Sequence, residues 1–442
     1  MKKSSTVITI VLAVICVSLA VVLFVFSRNR AQTQQPTDTA SEVTTMDARN
    51  QTQSDITLAL SAYKARLEWK AVEGVSGYVI YYNDGNGWEE YGRTPKTTFR
   101  SKGLTGGTSY VFGIKPYTKD GGEEVVADSF VYTIRGNTLP ATPEFRVNKK
   151  NNVYSLKWEQ VHNANEYIVY SMLPDDTQWT REGITDKTSF DFKKTKTPEI
   201  YLAVRAVRYA DGEKYVSDYN KTYFSDVKPV GKMYSCGDSI ATGVGSHGYS
   251  YAEIFAEENH LQLIDKATTG AQLSSANEKK GHVCENIMKD VTKEYDYVFI
   301  EGGNDDYFFS VEPGEVSPKG KDTYDMNTTC GALESALAYL KENCPDTKVI
   351  FVLIHDADGH AKKKNDIGLT FEDYAEGIRA VCAKYNVSVA DCMKDSGFDV
   401  TDTKIVEQYT YKYNGVYPTG DGVHPTEQAY RKYYMPLINK LK

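Results

Sequence analysis

The sequence predicts a multidomain protein with an N-terminal transmembrane helix, two all-β sandwiches and a C-terminal α/β domain with a three-layer parallel sheet. Three observations indicate this fold class. Residues 6–26 form one uncharged apolar stretch, residues 56–227 alternate apolar and polar positions in short runs, and residues beyond 228 alternate short apolar runs with helical patterns. The length of 442 residues also fits several domains.

The N-terminal apolar stretch is long enough to cross a bilayer as a helix. It follows a basic start, Met1-Lys2-Lys3, exceeds the core of a signal peptide, and precedes no small-x-small cleavage site. We therefore predict a signal anchor over residues 1–27, single-pass in the cell membrane, with the N-terminus inside and the later domains extracellular. The alternative is a cleaved signal and a secreted protein. Residues 28–55, rich in Gln, Thr, Ser and Asp, are predicted to be a flexible linker.

Residues 56–227, in which apolar and polar positions alternate, contain the same pattern of strands twice. Residues 65–69 and 77–82 are echoed by residues 154–158 and 166–170, at a spacing of about 90 residues. Each copy has a tryptophan on an early strand and a tyrosine at the start of a late strand. This pattern resembles tandem fibronectin type III domains, which are immunoglobulin-like sandwiches. The two predicted domains cover residues 56–138 and 139–228.

The resemblance implies that Trp69 and Trp158 lie in the two cores and that Tyr110 and Tyr201 are corner residues. The remaining aromatic residues fit strand alternation alone, although a sugar-stacking surface is the alternative. The sandwiches are accordingly predicted to be spacers, or to make weak polysaccharide or surface contacts.

Charge and cysteine content exclude some classes of function. A formal net charge of -8 and a pI of about 5.6, with no basic stripe, argue against a nucleic-acid partner. No Cys-x-x-Cys spacing indicates a metal site, and no cofactor is expected. Six cysteines fall in the last domain, where Cys284, Cys330 and Cys344 are the first candidates if any disulfide exists.

A serine lies where a strand is expected to turn into a helix. Gly237-Asp238-Ser239 follows the apolar run of residues 230–236 and precedes small residues. In an open α/β sheet the loops at the carboxyl ends of the strands form the ligand crevice, and a helix N-terminus favours negative charge. Taken alone, the Asp or Ser could simply be a helix cap.

Three further motifs follow in order: Thr268-Thr269-Gly270-Ala271, Glu301-Gly302-Gly303-Asn304-Asp305, and Asp421-Gly422-Val423-His424-Pro425. Together with the serine motif they resemble the SGNH (GDSL-type) hydrolase family. Its four motif residues correspond here to Ser239, Gly270, Asn304 and His424. The resemblance covers the predicted domain of residues 229–442 and implies a flavodoxin-like fold and serine ester hydrolysis.

Each step of ester hydrolysis has one candidate residue. Ser239 is the predicted nucleophile, His424 the general base, and Asp421 the acceptor that orients the imidazole. The backbone N–H groups of Ser239 and Gly270 and the side-chain amide of Asn304 are the predicted oxyanion hole. Asp421 and Asn304 could instead be turn formers.

The other histidines are expected to be structural or exposed, although His355 could line the pocket. The resemblance, combined with the predicted anchor, linker and sandwiches, implies an outward-facing esterase that removes small acyl groups, in particular acetyl, from carbohydrate. The alternatives are a lipase or lysophospholipase, and a non-catalytic cell-surface adhesion protein. Since every candidate residue lies beyond Lys228, the sandwiches are predicted to be dispensable for the chemistry.

Overall fold

The computed structural model describes residues 51–442, except for residues 54, 102, 121–122, 196, 279–280, 319 and 322. The predicted anchor over residues 1–27 lies outside this range. Among the described residues, no helix has the length and apolar content needed to span a bilayer.

The first sandwich packs one sheet of order β1-β2-β3-β6 against a second of order β5-β4-β7-β8, with β9 also paired to β7. Trp69 is buried in its core, with its ring 5.2 Å from that of Tyr78. The strands are β1 Gln51–Gln53, β2 Ile56–Leu60, β3 Ala65–Trp69, β4 Gly77–Asn83, β5 Glu89–Thr94, β6 Thr98–Arg100, β7 Ser109–Asp120, β8 Glu123–Val126 and β9 Tyr132–Asn137. Strand β1 begins inside the segment for which composition predicts a flexible linker, because backbone pairing with β2 orders it despite its polar sequence.

The second sandwich repeats this arrangement, with a sheet of order β10-β11-β14 and another of order β13-β12-β15-β16, to which β17 adds beside β15. Trp158 lies in its core. Its strands are β10 Phe145–Lys150, β11 Val153–Trp158, β12 Glu166–Met172, β13 Thr180–Thr185, β14 Ser189–Lys193, β15 Glu199–Ala210, β16 Glu213–Val216 and β17 Thr222–Ser225.

The two candidate corner tyrosines differ in their contacts. The hydroxyl of Tyr110 accepts a hydrogen bond from the backbone N–H of Thr105 at 2.9 Å, as a corner residue does. The hydroxyl of Tyr201 instead donates to Glu257 Oε1 at 2.5 Å, which belongs to the C-terminal domain. Tyr201 is therefore an interdomain contact, since its strand faces a neighbouring domain that a repeat pattern does not reveal.

The C-terminal domain has the predicted parallel sheet, of order β19-β18-β20-β21-β22. The strands are β18 Gly231–Cys236, β19 Leu261–Asp265, β20 Tyr297–Glu301, β21 Lys348–Leu353 and β22 Ser388–Asp391. Strand order reverses between β18 and β20, so the loops after Cys236 and Glu301 diverge and leave a crevice at the carboxyl edge. The sheet is buried on both faces, as parallel sheets require.

Helices cover the two faces of this sheet. They are α1 Tyr251–Glu258, α2 Val283–Asp290, α3 Asn304–Phe308, α4 Thr329–Asn343, α5 Phe371–Tyr385, α6 Cys392–Asp395, α7 Thr403–Tyr409, α8 Glu427–Ala429 and α9 Met435–Lys440. A π-helical turn, Tyr430–Tyr434, joins the last two. The six described cysteines are all free and buried, so Cys284, Cys330 and Cys344 form no bridge and behave as small apolar residues.

The corner hydroxyl of Tyr110 gives a test of the first sandwich. We expect Tyr110→Phe to lower the free energy of unfolding by about 1 kcal/mol, because the N–H of Thr105 loses its acceptor. Tyr209→Phe is the matched control: Tyr209 is 53% exposed, so its loss should stay within about 0.5 kcal/mol. Urea unfolding of both variants measures the difference, and equal stabilities would remove the corner role.

Candidate active site

The nucleophile loop begins where β18 ends. A Cβ atom at Gly237 would lie 2.4 Å from Glu301 Oε2, so only glycine lets the loop pass this close to β20. The carboxylate of Asp238 then accepts a hydrogen bond from the N–H of Ile240 at 2.8 Å. These contacts fix the backbone on both sides of Ser239, whose side chain lies in the crevice at 9% exposure.

Two buried carboxyl groups lie beneath this loop. The N–H of Asp238 donates to Glu301 Oε2 at 2.8 Å. Burial, reinforced by the nearby Glu301 carboxyl, raises the pKa of Asp238 well above its usual value. Burial likewise raises the pKa of Glu301 to about 7. The pair therefore retains a proton at neutral pH, which limits negative charge directly below the nucleophile.

The histidine loop places its imidazole against the serine. His424 Nε2 lies 2.9 Å from Ser239 Oγ, and His424 Nδ1 lies 2.7 Å from Asp421 Oδ2. The other oxygen of Asp421 accepts the backbone N–H groups of Val423 and His424, each at 3.0 Å. The carboxylate is thus held by its own loop and faces Nδ1, which leaves Nε2 unprotonated and able to accept from the serine.

Close backbone packing fixes the position of this loop. A Cβ atom at Gly245, six residues after the serine, would lie 2.4 Å from the carbonyl oxygens of both His424 and Pro425. On the other side, the N–H of Tyr411 donates to the His424 carbonyl at 3.0 Å. The histidine loop is therefore clamped between the segment after the nucleophile and the segment after α7.

The predicted oxyanion donors lie on neighbouring loops. The N–H of Thr268 donates to the Gly237 carbonyl at 2.9 Å, which ties the Gly270 loop to the nucleophile loop. Asn304 begins α3 directly after Gly303, whose φ of 99° is left-handed. In the part of the chain that the structure describes, the amides of Ser239 and Gly270 and the Nδ2 group of Asn304 donate no hydrogen bond, so all three are available to a ligand.

Sequence reasoning missed two residues that contact this set. His360 Nδ1 lies 3.2 Å from Asn304 Oδ1, and the hydroxyl of Tyr413 lies 2.9 Å from His424 Nδ1. Burial lowers the pKa of His360, so a neutral ring can donate to Oδ1 and turn the Nδ2 group of Asn304 away from itself. Neither residue belongs to a motif or a periodic segment, and only the folded loops bring them to the site.

His355, the histidine that could have lined the pocket, is completely buried. Its Nδ1 lies 2.7 Å from the hydroxyl of Tyr434, and burial lowers its pKa to about 3. It is a neutral structural residue. Among the described residues, no group of three or more His, Cys, Asp and Glu side chains is placed to hold a metal ion.

Comparison with known structures finds chains that are similar to parts of this one. A crystal structure of a Lactobacillus plantarum protein has 21% identity and a TM-score of 0.39, and covers 48% of this chain and 94% of its own. Phospholipase A1 from Streptomyces albidoflavus has 16% identity and a TM-score of 0.30, with 48% and 99% covered. A two-domain fibronectin type III segment of chicken tenascin has 16% identity and a TM-score of 0.25, with 40% and 98% covered.

No curated protein sequence matches the chain significantly. Residues 235–432 match the model of the GDSL-like lipase/acylhydrolase family. The matched segment includes both the nucleophile loop and the histidine loop, so the C-terminal domain belongs to the GDSL-like lipase/acylhydrolase family and this chain is a serine ester hydrolase.

Proposed function

We propose that the protein removes small acyl groups, acetyl above all, from carbohydrate by a Ser239-His424-Asp421 triad. The observation that supports this mechanism most directly is the continuous contact from Ser239 Oγ through the His424 ring to Asp421, at 2.9 Å and 2.7 Å. These distances suit proton transfer without any rearrangement of the side chains. The other proposed donors, Gly270 and Asn304, lie in the segments that follow β19 and β20.

In the proposed reaction, Ser239 Oγ attacks the ester carbonyl carbon while its proton passes to His424 Nε2. The resulting oxyanion is stabilised by the amides of Ser239 and Gly270 and the Nδ2 group of Asn304. Collapse breaks the bond to the alcohol, which takes the proton from Nε2. Water then attacks the acyl-serine, again with His424 as base, and releases the acid and free Ser239.

Exposed aromatic rings beside the oxyanion donors support a bulky substrate. Phe308 is 56% exposed and its ring lies 6.3 Å from that of His360, while the neighbouring Phe309 is 38% exposed. Exposed apolar side chains grouped at a catalytic crevice are typical of a binding surface. Flat rings can stack against the apolar faces of sugar residues, which fits a carbohydrate.

The same rings also support a second candidate. Phe308, Phe309 and the 40% exposed Ile367 could bind an aliphatic chain, as a lipase or lysophospholipase requires. An extracellular position, through the predicted anchor or by secretion, belongs to both proposals. It rests on the apolar stretch of residues 6–26.

Acyl chain length separates the two candidates. We expect kcat/KM on p-nitrophenyl esters to be highest for acetate and to fall toward palmitate, and we expect release of acetate from an acetylated polysaccharide. Phe308→Ala should raise KM for the polysaccharide while leaving p-nitrophenyl acetate unaffected. A maximum at palmitate would replace the carbohydrate proposal with the lipase one.

The triad assignment predicts strongly non-additive losses. Ser239→Ala and His424→Ala should each lower kcat by roughly 10³ or more, and the double variant should be hardly slower, because the triad acts as a unit. Steady-state kinetics with circular dichroism as a fold control measure this. Losses that multiply in the double variant would contradict the assignment.

Asn304 can be tested with an isosteric change. If its amide donates to the oxyanion, both Asn304→Ala and Asn304→Asp should cut kcat by roughly 10² to 10³ with KM nearly unchanged. Aspartate forms turns as well as asparagine does, so a turn role predicts normal kinetics for Asn304→Asp. His360→Ala should also lower kcat, by about 10-fold, because the side-chain amide of Asn304 is then less well oriented. Thermal melts of all three variants separate stability from rate.

A further inference from the structure

Tyr413 has a backbone conformation that a bulky residue rarely adopts. Its φ is 46°, in the left-handed region, within a short 3₁₀ turn between α7 and the histidine loop. Such a conformation costs free energy and persists only where the surroundings impose it, most often at functional sites. The contacts around Tyr413 show which groups impose it.

The hydroxyl of Tyr413 lies beside His424 and Asp421, the general base and its orienting carboxylate in the proposed triad. It is 2.9 Å from His424 Nδ1, the ring nitrogen that also lies 2.7 Å from Asp421 Oδ2. The pKa of Tyr413 is raised, first by burial and then by the charge of Asp421, so the hydroxyl keeps its proton beside that carboxylate. Tyr413 therefore supports the same edge of the imidazole that Asp421 holds.

A residue of the first sandwich contacts the ring of Tyr413. Lys64 lies in the loop between β2 and β3, and its Nζ is 3.6 Å from the centre of the ring. A cation this close to a buried aromatic face is an attractive contact that restrains the ring. The first sandwich thus reaches across to the segment that precedes the catalytic histidine.

The second sandwich restrains Tyr413 through Tyr411. The rings of Tyr411 and Tyr413 lie 4.3 Å apart, and the Tyr411 hydroxyl donates to Asp218 Oδ2 at 2.6 Å. Asp218 belongs to the loop between β16 and β17 and also contacts His247 Nδ1 at 2.8 Å. Burial would raise the pKa of Asp218, but His247 and Tyr411 together lower it to about 2, so a full negative charge holds this contact.

We propose that one contact from each sandwich supports the active site: Lys64 and, through Tyr411, Asp218 hold Tyr413 in the conformation in which its hydroxyl positions the His424–Asp421 pair. Lys64, Asp218, Tyr411 and Tyr413 are positioning residues. The inference rests on the proposed triad. It replaces the prediction from sequence that the sandwiches are dispensable for the chemistry.

The test compares kinetic and stability effects in the full-length protein with p-nitrophenyl acetate. Tyr413→Phe keeps the ring and removes the hydroxyl. We expect kcat to fall about 10-fold with KM nearly unchanged, since His424 is less well oriented. Loss of the hydroxyl also changes the polar surroundings of the His424–Asp421 pair, so the acid limb of the kcat/KM profile should shift along the pH axis.

Asp218→Asn tests whether the sandwich acts through Tyr413. We expect Asp218→Asn also to lower kcat. The double variant Asp218→Asn with Tyr413→Phe should have the kcat of Tyr413→Phe alone to within about 2-fold, because both changes remove the same positioning of His424 by Tyr413. Tyr201→Phe is the matched control: it removes a hydroxyl bond to Glu257 across the same pair of domains. It should lower the melting temperature and leave kcat and the pH profile unchanged.

Two results would overturn the inference. One is a folded Tyr413→Phe with normal kcat and an unshifted pH profile. The other is an Asp218→Asn variant that changes only the melting temperature, as interdomain adhesion alone predicts. If Asp218→Asn does not fold, Tyr411→Phe breaks the same hydrogen bond and is judged by the same criteria. Ser239→Ala is assayed alongside, because activity in that variant would refute the triad itself and not the role of the sandwiches.

Discussion

The parallel pairing of β18 with β20 is the constraint on which the active site depends. Tyr234 pairs with Val298 and Cys236 with Ile300, so both strands end at the same edge of the sheet. Their following loops carry Ser239 and Asn304, which lie far apart in sequence. Because the strand order reverses here, the loops separate and leave room for a substrate between the proposed nucleophile and the proposed oxyanion donor. Every other catalytic contact is added to this framework.

The pairing also explains the acidic residues below the site. Gly237 allows β18 to approach Glu301 so closely that the N–H of Asp238 reaches its carboxylate at 2.8 Å. Two carboxylates buried side by side cannot both ionise at low cost, so the pair holds a proton. In the proposed reaction, this half-protonated pair repels the developing oxyanion less than two ionised carboxylates would. Although Asp238 and Glu301 are acidic residues, they therefore do not make the site strongly negative.

Much of the fold, and the candidates Ser239, His424 and Asp421 that the structure brings together, could be predicted because their signals are local. The sheet strands are short apolar runs, and the loops carrying Ser239, Gly270, Asn304 and His424 each have small residues beside a functional one. The contact of His360 with Asn304 could not be predicted, since it joins two loops without periodicity. The same holds for strand β1, which is ordered by backbone pairing with β2. Tyr413 resembles an ordinary loop tyrosine until its φ and its neighbours are known.

The order of the segments along the chain has a consequence for biosynthesis. His424 lies 185 residues after Ser239, whereas Asp218 precedes the serine and belongs to a sandwich that is synthesised earlier. Domains generally fold as units while the chain emerges from its N-terminus. The surface that contacts Tyr411 can thus be in place before the histidine loop exists. The nascent enzyme would remain without a general base, and so unable to cleave esters, until the final segment docks against a sandwich that has already folded.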